Sequence, residues 1–348
     1  MSTLIVTGGA GFIGSHFVEL ALQMDFRVVV VDSLTYAGNP DNVERFSGRP
    51  NFVFHQGDIR DFAAIRDLIF RMDPVGLINF AAESHVDNSI EGPKPFIETN
   101  ILGTFQLLEA AREYCRRRVG FDKFRFLHVS TDEVFGELGP TGYFSETSPY
   151  SPNSPYSASK AASDHLSRAW HETYGLDVVV THCSNNYGPR QFPEKLIPRM
   201  IQRALRHDHL PVYGRGENIR DWIHVEDHCR GVLLAFNRGV AGQSYCFAGR
   251  AERKNIELVT LLCQILDEKR PRADGKSYRE LIQFVSDRPG HDLRYAIDDR
   301  KAEAELGFQR KFSSLEQGLR ETVDWYLGNG RWLEQVEKRA RDFGRSAS

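Results

Sequence analysis

The sequence predicts an α/β protein, a doubly wound parallel sheet with a smaller, interleaved C-terminal substrate domain. Three observations carry that prediction. Short apolar runs rich in branched residues alternate with amphipathic, helix-length segments from Leu4 to Cys183, the rhythm of repeated strand–helix–strand units. The first run opens directly into Thr7-Gly-Gly-Ala-Gly-Phe-Ile-Gly14, a glycine-rich turn between strand and helix that marks the sheet as Rossmann-type. After Cys183 the rhythm breaks into Gly-, Pro- and Tyr-containing loops around isolated helices, as expected of an excursion away from the sheet.

Leu4-Ile-Val6 is the first strand, and the helix after the turn carries Phe17, Leu20 and Ala21. Gly8, Gly11 and Gly14 suit a tight turn, a close backbone approach to phosphate and close helix–strand packing. The free amides of that helix start suit a pyrophosphate, with Phe12 and Ile13 beside it. Arg27 to Val31 form the second strand and end in Asp32. A carboxylate there accepts from ribose hydroxyls and repels a 2′-phosphate, which favours NAD over NADP. Asn51 to Gln56 are the third strand; Asp58 beyond it is placed either to meet the adenine or to cap the helix starting near Phe62. Val75 to Phe80 form the fourth strand and lead into Ala81-Ala-Glu-Ser-His85, whose small residues let a cofactor lie on the backbone. Pro95 to Arg112 is a single long amphipathic helix, with Arg116, Arg117 and Arg118 at a solvated helix end.

Phe124 to Val129 are the fifth strand, and Thr131, Asp132 and Glu133 stand at its end, where open α/β sheets place their chemistry. A loop over residues 139–155, expected to be mobile above the site, precedes a helix from Tyr156 to about Tyr174. Tyr156 and Lys160 share a face of it, four residues apart. Asp177 to Cys183 are the sixth strand, and Ser244 to Ala248 form a strand that rejoins the sheet. Helices follow at Ile197–Arg206, Val225–Phe236 and Ile256–Leu266, then a strand from Ile282, the turn Asp287-Arg-Pro-Gly-His291 and two amphipathic helices. The tail after Trp332 is basic and reads as a surface helix. Residues 1–184 with about 219–250 form the NAD-binding unit, and 185–218 with about 251–348 the sugar-nucleotide unit.

Bulk properties exclude several classes. The net charge of −3 over 348 residues predicts no nucleic-acid or anionic-membrane partner. No window approaches a spanning apolar run, and the N-terminus lacks a secretion signal. The five cysteines form no C-x-x-C pair and fit reduced thiols in a cytoplasm. His207/His209 and His224/His228 have ligand-like spacing but no clear third ligand, so no metal is expected.

A hydroxyl, two adjacent acids, a phenol and a lysine suit oxidation of an alcohol followed by loss of a neighbouring hydroxyl. A free tyrosine titrates at about 10, so a phenolate near pH 7 needs about 4 kcal/mol of help. One nearby cation supplies roughly one to three pKa units, so Lys160 and a positively charged nicotinamide together close the gap. Adjacent carboxylates split their pKa values, which leaves one as acid and one as base. A 4-epimerase needs no such pair, and a decarboxylase needs a cation for its carboxylate. A non-catalytic NAD sensor has no use for Thr131, Tyr156 and Lys160 together.

These motifs resemble the extended short-chain dehydrogenases/reductases, and within them the dTDP-glucose 4,6-dehydratase family. The resemblance is carried by Asp32-Ser-Leu-Thr-Tyr-Ala-Gly-Asn39, Ala81-Ala-Glu-Ser-His-Val-Asp87, Thr131-Asp-Glu133, Asn185-Asn-Tyr-Gly-Pro189, Glu194-Lys-Leu-Ile-Pro198, Arg220-Asp-Trp222 and Asp287-Arg-Pro-Gly-His-Asp-Leu-Arg-Tyr295. It implies catalysis by Thr131, Asp132, Glu133, Tyr156 and Lys160. It implies NAD, bound tightly and regenerated each cycle, at Phe12, Ile13, Asp32, Ser33, Leu34, Thr35, Asp58, Ile59, Ala81, Ala82, Glu83, Ser84, Thr99, Tyr156, Lys160 and Asn186. It implies sugar-nucleotide contacts at Ser84, Thr131, Asn185, Lys195, Leu196, Pro211, Val212, Tyr213, Arg220, Asn255, Asp287, Arg288, Pro289, Gly290 and His291. The planar fork of Arg220 suits a diphosphate, and Tyr213 suits a base without naming it. The resemblance favours dTDP, while spacing leaves UDP and CDP open. It also implies a homodimer through helices near residues 95–115 and 156–174.

Overall fold

Seven strands form one sheet in the spatial order Ser244–Phe247, Asp177–Cys183, Arg125–Val129, Gly76–Asn79, Thr3–Thr7, Arg27–Asp32, Phe52–Gln56. Every neighbouring pair is parallel. The structure, a computed structural model, describes residues 1–121, 123–287, 290–312 and 314–342. The chain enters mid-sheet at Thr3–Thr7, builds out to one edge, then returns to lay Gly76–Asn79 on the other side of its first strand. That reversal opens a crevice at the carboxyl ends of the strands, the usual binding position in such sheets.

Alternation along the strands divides the core into two layers. Leu4, Val6, Val28 and Val30 point to the layer packed with Phe17 and Val232. Ile5, Val29 and Val31 point to the opposite layer, with Leu68, Leu107 and Phe126. A parallel sheet covered on both faces requires this continuous apolar character. A third core lies off the sheet, around Met200, Leu210, Leu262, Leu319 and Tyr326. It joins the helices Leu196–Leu205, Asn255–Lys269 and Leu315–Gly328 to the parallel pair Leu210–Tyr213 and Ile282–Val285.

Four expectations are revised. The helix expected over Pro95–Arg112 is a continuous helical run from Lys94 to Val119, with wider π-wound stretches at Ile97–Gly103 and Cys115–Val119. The first stretch carries Thr99 and Asn100 to the site, a common setting for such bulges. The helix Phe62–Met72 is capped by Asp61, whose side chain accepts from the Ala64 amide at 3.0 Å, and not by Asp58. The loop over 139–155 is tied down: the Phe144 amide donates to Ala296 and the Ser151 amide to Val134. The tail helix Gly330–Asp342 is not purely a surface element, since Leu333 and Val336 are buried. No helix among the described residues is long and apolar enough to cross a membrane.

Candidate active site

A groove of about 450 Å³ runs along the strand ends. All of Thr131, Asp132, Glu133, Tyr156 and Lys160 line it. So do all the residues expected at the cofactor except Leu34, which turns its side chain to the core and contributes its amide instead.

The residues present fit a dinucleotide. Gly8 adopts the left-handed conformation (φ 69°), and a Cβ on it would stand 2.6 Å from the Ala81 nitrogen. A Cβ on Gly14 would stand 2.2 Å from the Gly8 carbonyl oxygen, so that crossing admits glycine alone. No side chain caps the start of the helix Phe12–Gln23 and no acid lies in its first turn, which leaves its amides to an anion. Asp32 is buried, each oxygen held by one backbone amide, Ala10 at 2.9 Å and Leu34 at 2.8 Å. Asp58 is gripped by Arg60 through side chain and amide, which orients it at the groove wall. Asn100, missed from sequence, accepts from the Glu83 amide at 2.9 Å and donates to the Glu83 carbonyl and to Ser159. It locks the backbone of the Ala81–Ser84 wall against the Tyr156 helix. An asparagine inside an apolar helix was its signal.

The reactive end is assembled from a turn and a helix. Thr131 closes the strand Arg125–Val129 and caps the short turn Asp132–Phe135, accepting from the Glu133 amide at 3.3 Å. Reciprocal capping by Ser154 and Ser157 starts the helix Pro155–Tyr174 and presents Tyr156 in its first turn. The Thr131 hydroxyl donates to Asp132 Oδ1 at 3.3 Å and, lying near the Tyr156 phenol, works to lower its pKa. Burial, then the charge of Glu133, holds that phenol well above its usual range. Lys160 does not reach it: its Nζ donates to the Val129 carbonyl at 2.8 Å and lies 3.2 Å from His128 Nε2. Burial, opposed by Asp164, brings the lysine down to about 8. The protein by itself therefore leaves Tyr156 protonated, and the priming expected from Lys160 is not made by direct contact.

Asp132 is 2% exposed, and its Oδ2 has no hydrogen-bond partner among the described residues. Burial, then Glu133 and Asp221, raises its carboxyl well above the usual carboxylate range. That shift favours the protonated form beside a second carboxylate, the arrangement a proton donor requires.

Behind Lys160 lies a buried network that the sequence reading missed. Asp164 accepts from Ser130 at 2.8 Å and from Tyr150 at 3.2 Å, and His182 Nε2 stands 3.2 Å away. His128 bridges to it from Lys160, 3.4 Å from Asp164 Oδ1. Asp164 follows Lys160 by four residues on one helix face, so its position was readable; the two histidines arrive from neighbouring strands. His224 and His228 have separate partners, the Glu226 amide and the Asn186 carboxamide. No group of three or more His, Cys, Asp or Glu side chains among the described residues could hold a metal.

The residues expected at a sugar nucleotide divide. Ser84, Thr131, Asn185 and Lys195 line the groove, and Lys195 Nζ crosses it to the Ser84 carbonyl at 2.8 Å. Asn185 and Asn255 each bury a carboxamide oxygen with no partner among the described residues. Tyr213 packs edge-on to His291, which pairs with Asp287 at 2.6 Å. Leu196 and Val212 turn their side chains into the off-sheet core because they are apolar and neighbour it. Pro211 sits in the strand paired with Gln283, and Gly290 takes a left-handed turn (φ 64°). The Arg220 fork, expected at a diphosphate, donates here to the carbonyls of Ile219, Asp292 and Leu293. Arg288 and Pro289 lie outside the described residues.

Comparison with known proteins agrees across nearly the whole chain. The family described as GDP-mannose 4,6 dehydratase matches residues 5–322. A dTDP-glucose 4,6-dehydratase of Xanthomonas campestris pv. campestris (strain B100) is 54% identical over 341 residues, 97% of this chain and 96% of its own length. A dTDP-glucose 4,6-dehydratase of Streptomyces venezuelae, solved with NAD and TYD bound, superposes with a TM-score of 0.88 at 45% identity, covering 96% of this chain and 99% of that one. The UDP-glucose 4-epimerase of Thermotoga maritima, solved with UDP-glucose, has a TM-score of 0.83 at 30% identity, covering 94% of this chain and 99% of that one.

Proposed function

The chain belongs to the GDP-mannose 4,6-dehydratase family of extended short-chain dehydrogenases/reductases, among its dTDP-glucose 4,6-dehydratases, and from that membership we propose how its own residues carry the reaction. It is an NAD-dependent enzyme that converts dTDP-glucose to dTDP-4-keto-6-deoxyglucose and water. Bound NAD would supply the acceptor for hydride from the sugar C4 and, once reduced, the hydride for C6.

Tyr156 takes the proton of the C4 hydroxyl, and Thr131, which lines the same groove, holds the C4 oxygen. Because burial and Glu133 hold Tyr156 protonated, its turn as base requires added positive charge beside it. The C4 ketone acidifies the C5 hydrogen, which Glu133 removes. Asp132 donates its proton to the departing C6 hydroxyl, and water leaves; once C6 is reduced, Glu133 returns the proton to C5, and the proton held by Tyr156 replaces, through solvent, the one Asp132 gave up. Lys160, with Asp164 as buried counter-charge, supplies a cation one helical turn from Tyr156 without bonding the phenol. Residues 1–184 with about 219–250 hold the cofactor, and 185–218 with about 251–348 grip the sugar nucleotide. Asn185, Lys195, Asn255 and the Tyr213/Asp287/His291 cluster are its ligands, supported by the unpartnered oxygens of Asn185 and Asn255.

The buried carboxyl of Asp132 beside Glu133, raised above the usual carboxylate range and with Oδ2 lacking a hydrogen-bond partner among the described residues, carries this reading over a 4-epimerase, which needs no leaving-group acid. The test is turnover of dTDP-, UDP- and CDP-glucose side by side, read as the ultraviolet absorbance of a 4-keto sugar in alkali. The dTDP sugar should react fastest. A C4 epimer without the keto signal would sink the dehydratase reading.

A homodimer through the helices near residues 95–115 and 156–174 is supported by Ile97, Leu102 and Tyr174, large apolar side chains exposed there. The five buried, unpaired cysteines support residence in the reducing cytoplasm.

A further inference from the structure

The C-terminal helix Gly330–Asp342 contributes no residue to the groove wall, yet it holds both sides of it. On one side Glu337, almost fully buried, accepts from Gln202 of the helix Leu196–Leu205 and from Arg206 at its C-terminal cap; that helix starts beside the groove residue Lys195. On the other side Arg339 Nη2 donates to the carbonyls of Leu34 (2.5 Å) and Thr35 (3.3 Å). Trp332 Nε1 donates to the Asn42 carboxamide at 3.0 Å, and Asn42 Nδ2 donates on to the Ala10 carbonyl at 2.9 Å.

Ala10 and Leu34 are the two residues whose amides hold the Asp32 carboxylate. The C-terminal helix thus grips, through their carbonyls, the same two peptide segments that aim Asp32. One of them is strained: Leu34 sits in the left-handed region at φ 56°, which a branched side chain rarely adopts. A guanidinium on its carbonyl and on the next one stabilises that conformation with charge-assisted hydrogen bonds.

We propose that the C-terminal helix is a clasp on the adenosine side of the groove, with Arg339 and Trp332 as positioning residues that keep Asp32 aimed and so set how fast the cofactor leaves. The inference rests on the dinucleotide reading of the groove. It accounts for a basic tail that carries no chemistry of its own.

The test compares wild type, Arg339→Ala, Arg339→Lys, Trp332→Phe and, as control on the exposed side of the same helix, Lys338→Ala. NAD content after purification is measured on denatured protein, and NAD release is followed after dilution. Arg339→Ala should release NAD about tenfold faster, the size of one lost charge-assisted hydrogen bond. It should also need correspondingly more added NAD for half-maximal turnover. Arg339→Lys should recover part of the loss, Trp332→Phe should release NAD a few-fold faster, and Lys338→Ala should match wild type. Unchanged release in both Arg339→Ala and Trp332→Phe overturns the clasp, as does a fall in stability of the cofactor-free protein with no change in release. If Arg339→Ala does not fold, Trp332→Phe decides alone. A wild type that holds no NAD at all would sink the dinucleotide reading instead.

Discussion

Asp132 and Asp164 are buried to nearly the same depth, 2% and 1% exposed, yet their carboxyl pKa values are shifted in opposite directions. Burial alone raises a carboxyl, so it cannot distinguish them. Asp132 has one hydroxyl at 3.3 Å and two other carboxylates in its field, and its carboxyl is held up. Asp164 gathers Ser130, Tyr150 and His182, with His128 beside it, and is held well below the usual range despite its burial. Donor count, more than depth, decides which buried acid keeps its proton. The groove wall thereby gains a proton donor, and the layer behind it gains a fixed anion under Lys160.

The sharpest way to break this contrast is at the neighbour that keeps Asp132 neutral. Glu133→Gln removes the C5 base and the like charge together, and turnover should fall about a thousandfold while sugar-nucleotide binding changes little. Isotope exchange at C5 should fall in parallel, and full turnover would refute the assigned role.

Asp164→Asn should cost about 3 kcal/mol of stability at neutral pH, as expected when one partner of a buried charged network is removed. The folded pKa of Asp164 is depressed, so its contribution is present above the unfolded carboxylate value and lost as pH falls toward the folded one. Urea titrations should therefore show wild type and variant converging as pH drops below about 4. A constant gap across that range would remove the anion from the account. The same variant should also weaken the hold on the Lys160 charge and move the acid limb of kcat/KM upward.

The smallest effect should come from Asp132→Asn in stability at acid pH, under about 1 kcal/mol below the unfolded carboxylate pKa, because the carboxyl is then uncharged in both the folded and the unfolded state. Its pH trend should be opposite. The folded pKa of Asp132 is raised, so its contribution is present below the unfolded value and lost as pH rises toward the folded one. The variant should gain on wild type between mildly acidic and alkaline pH. A parallel trend in the two variants would end the comparison.

Legibility followed distance along the chain. Thr131, Asp132 and Glu133 were readable because a strand end delivers them together, and Tyr156 and Lys160 because one helical turn separates them. Asp164 obeys that same spacing from Lys160 and could have been read. His128 and His182 could not, since only the pairing of adjacent strands brings them to Asp164. Pattern reading assigned Arg220 to a diphosphate; that the carbonyls of Asp292 and Leu293 also meet its guanidinium is set by the fold alone.

By itself the sequence determined the sheet, the glycine turn, Asp32 at the end of its strand and the gathering of the proposed catalytic set, because periodicity, backbone conformation and helical spacing act over a few residues. Only the tertiary structure decided which acid is neutral, why Tyr156 is not primed by direct lysine contact, and that Arg339 reaches back to Leu34 across 305 residues. Those properties depend on fields and hydrogen bonds from side chains that packing alone brings together, and no local pattern encodes them.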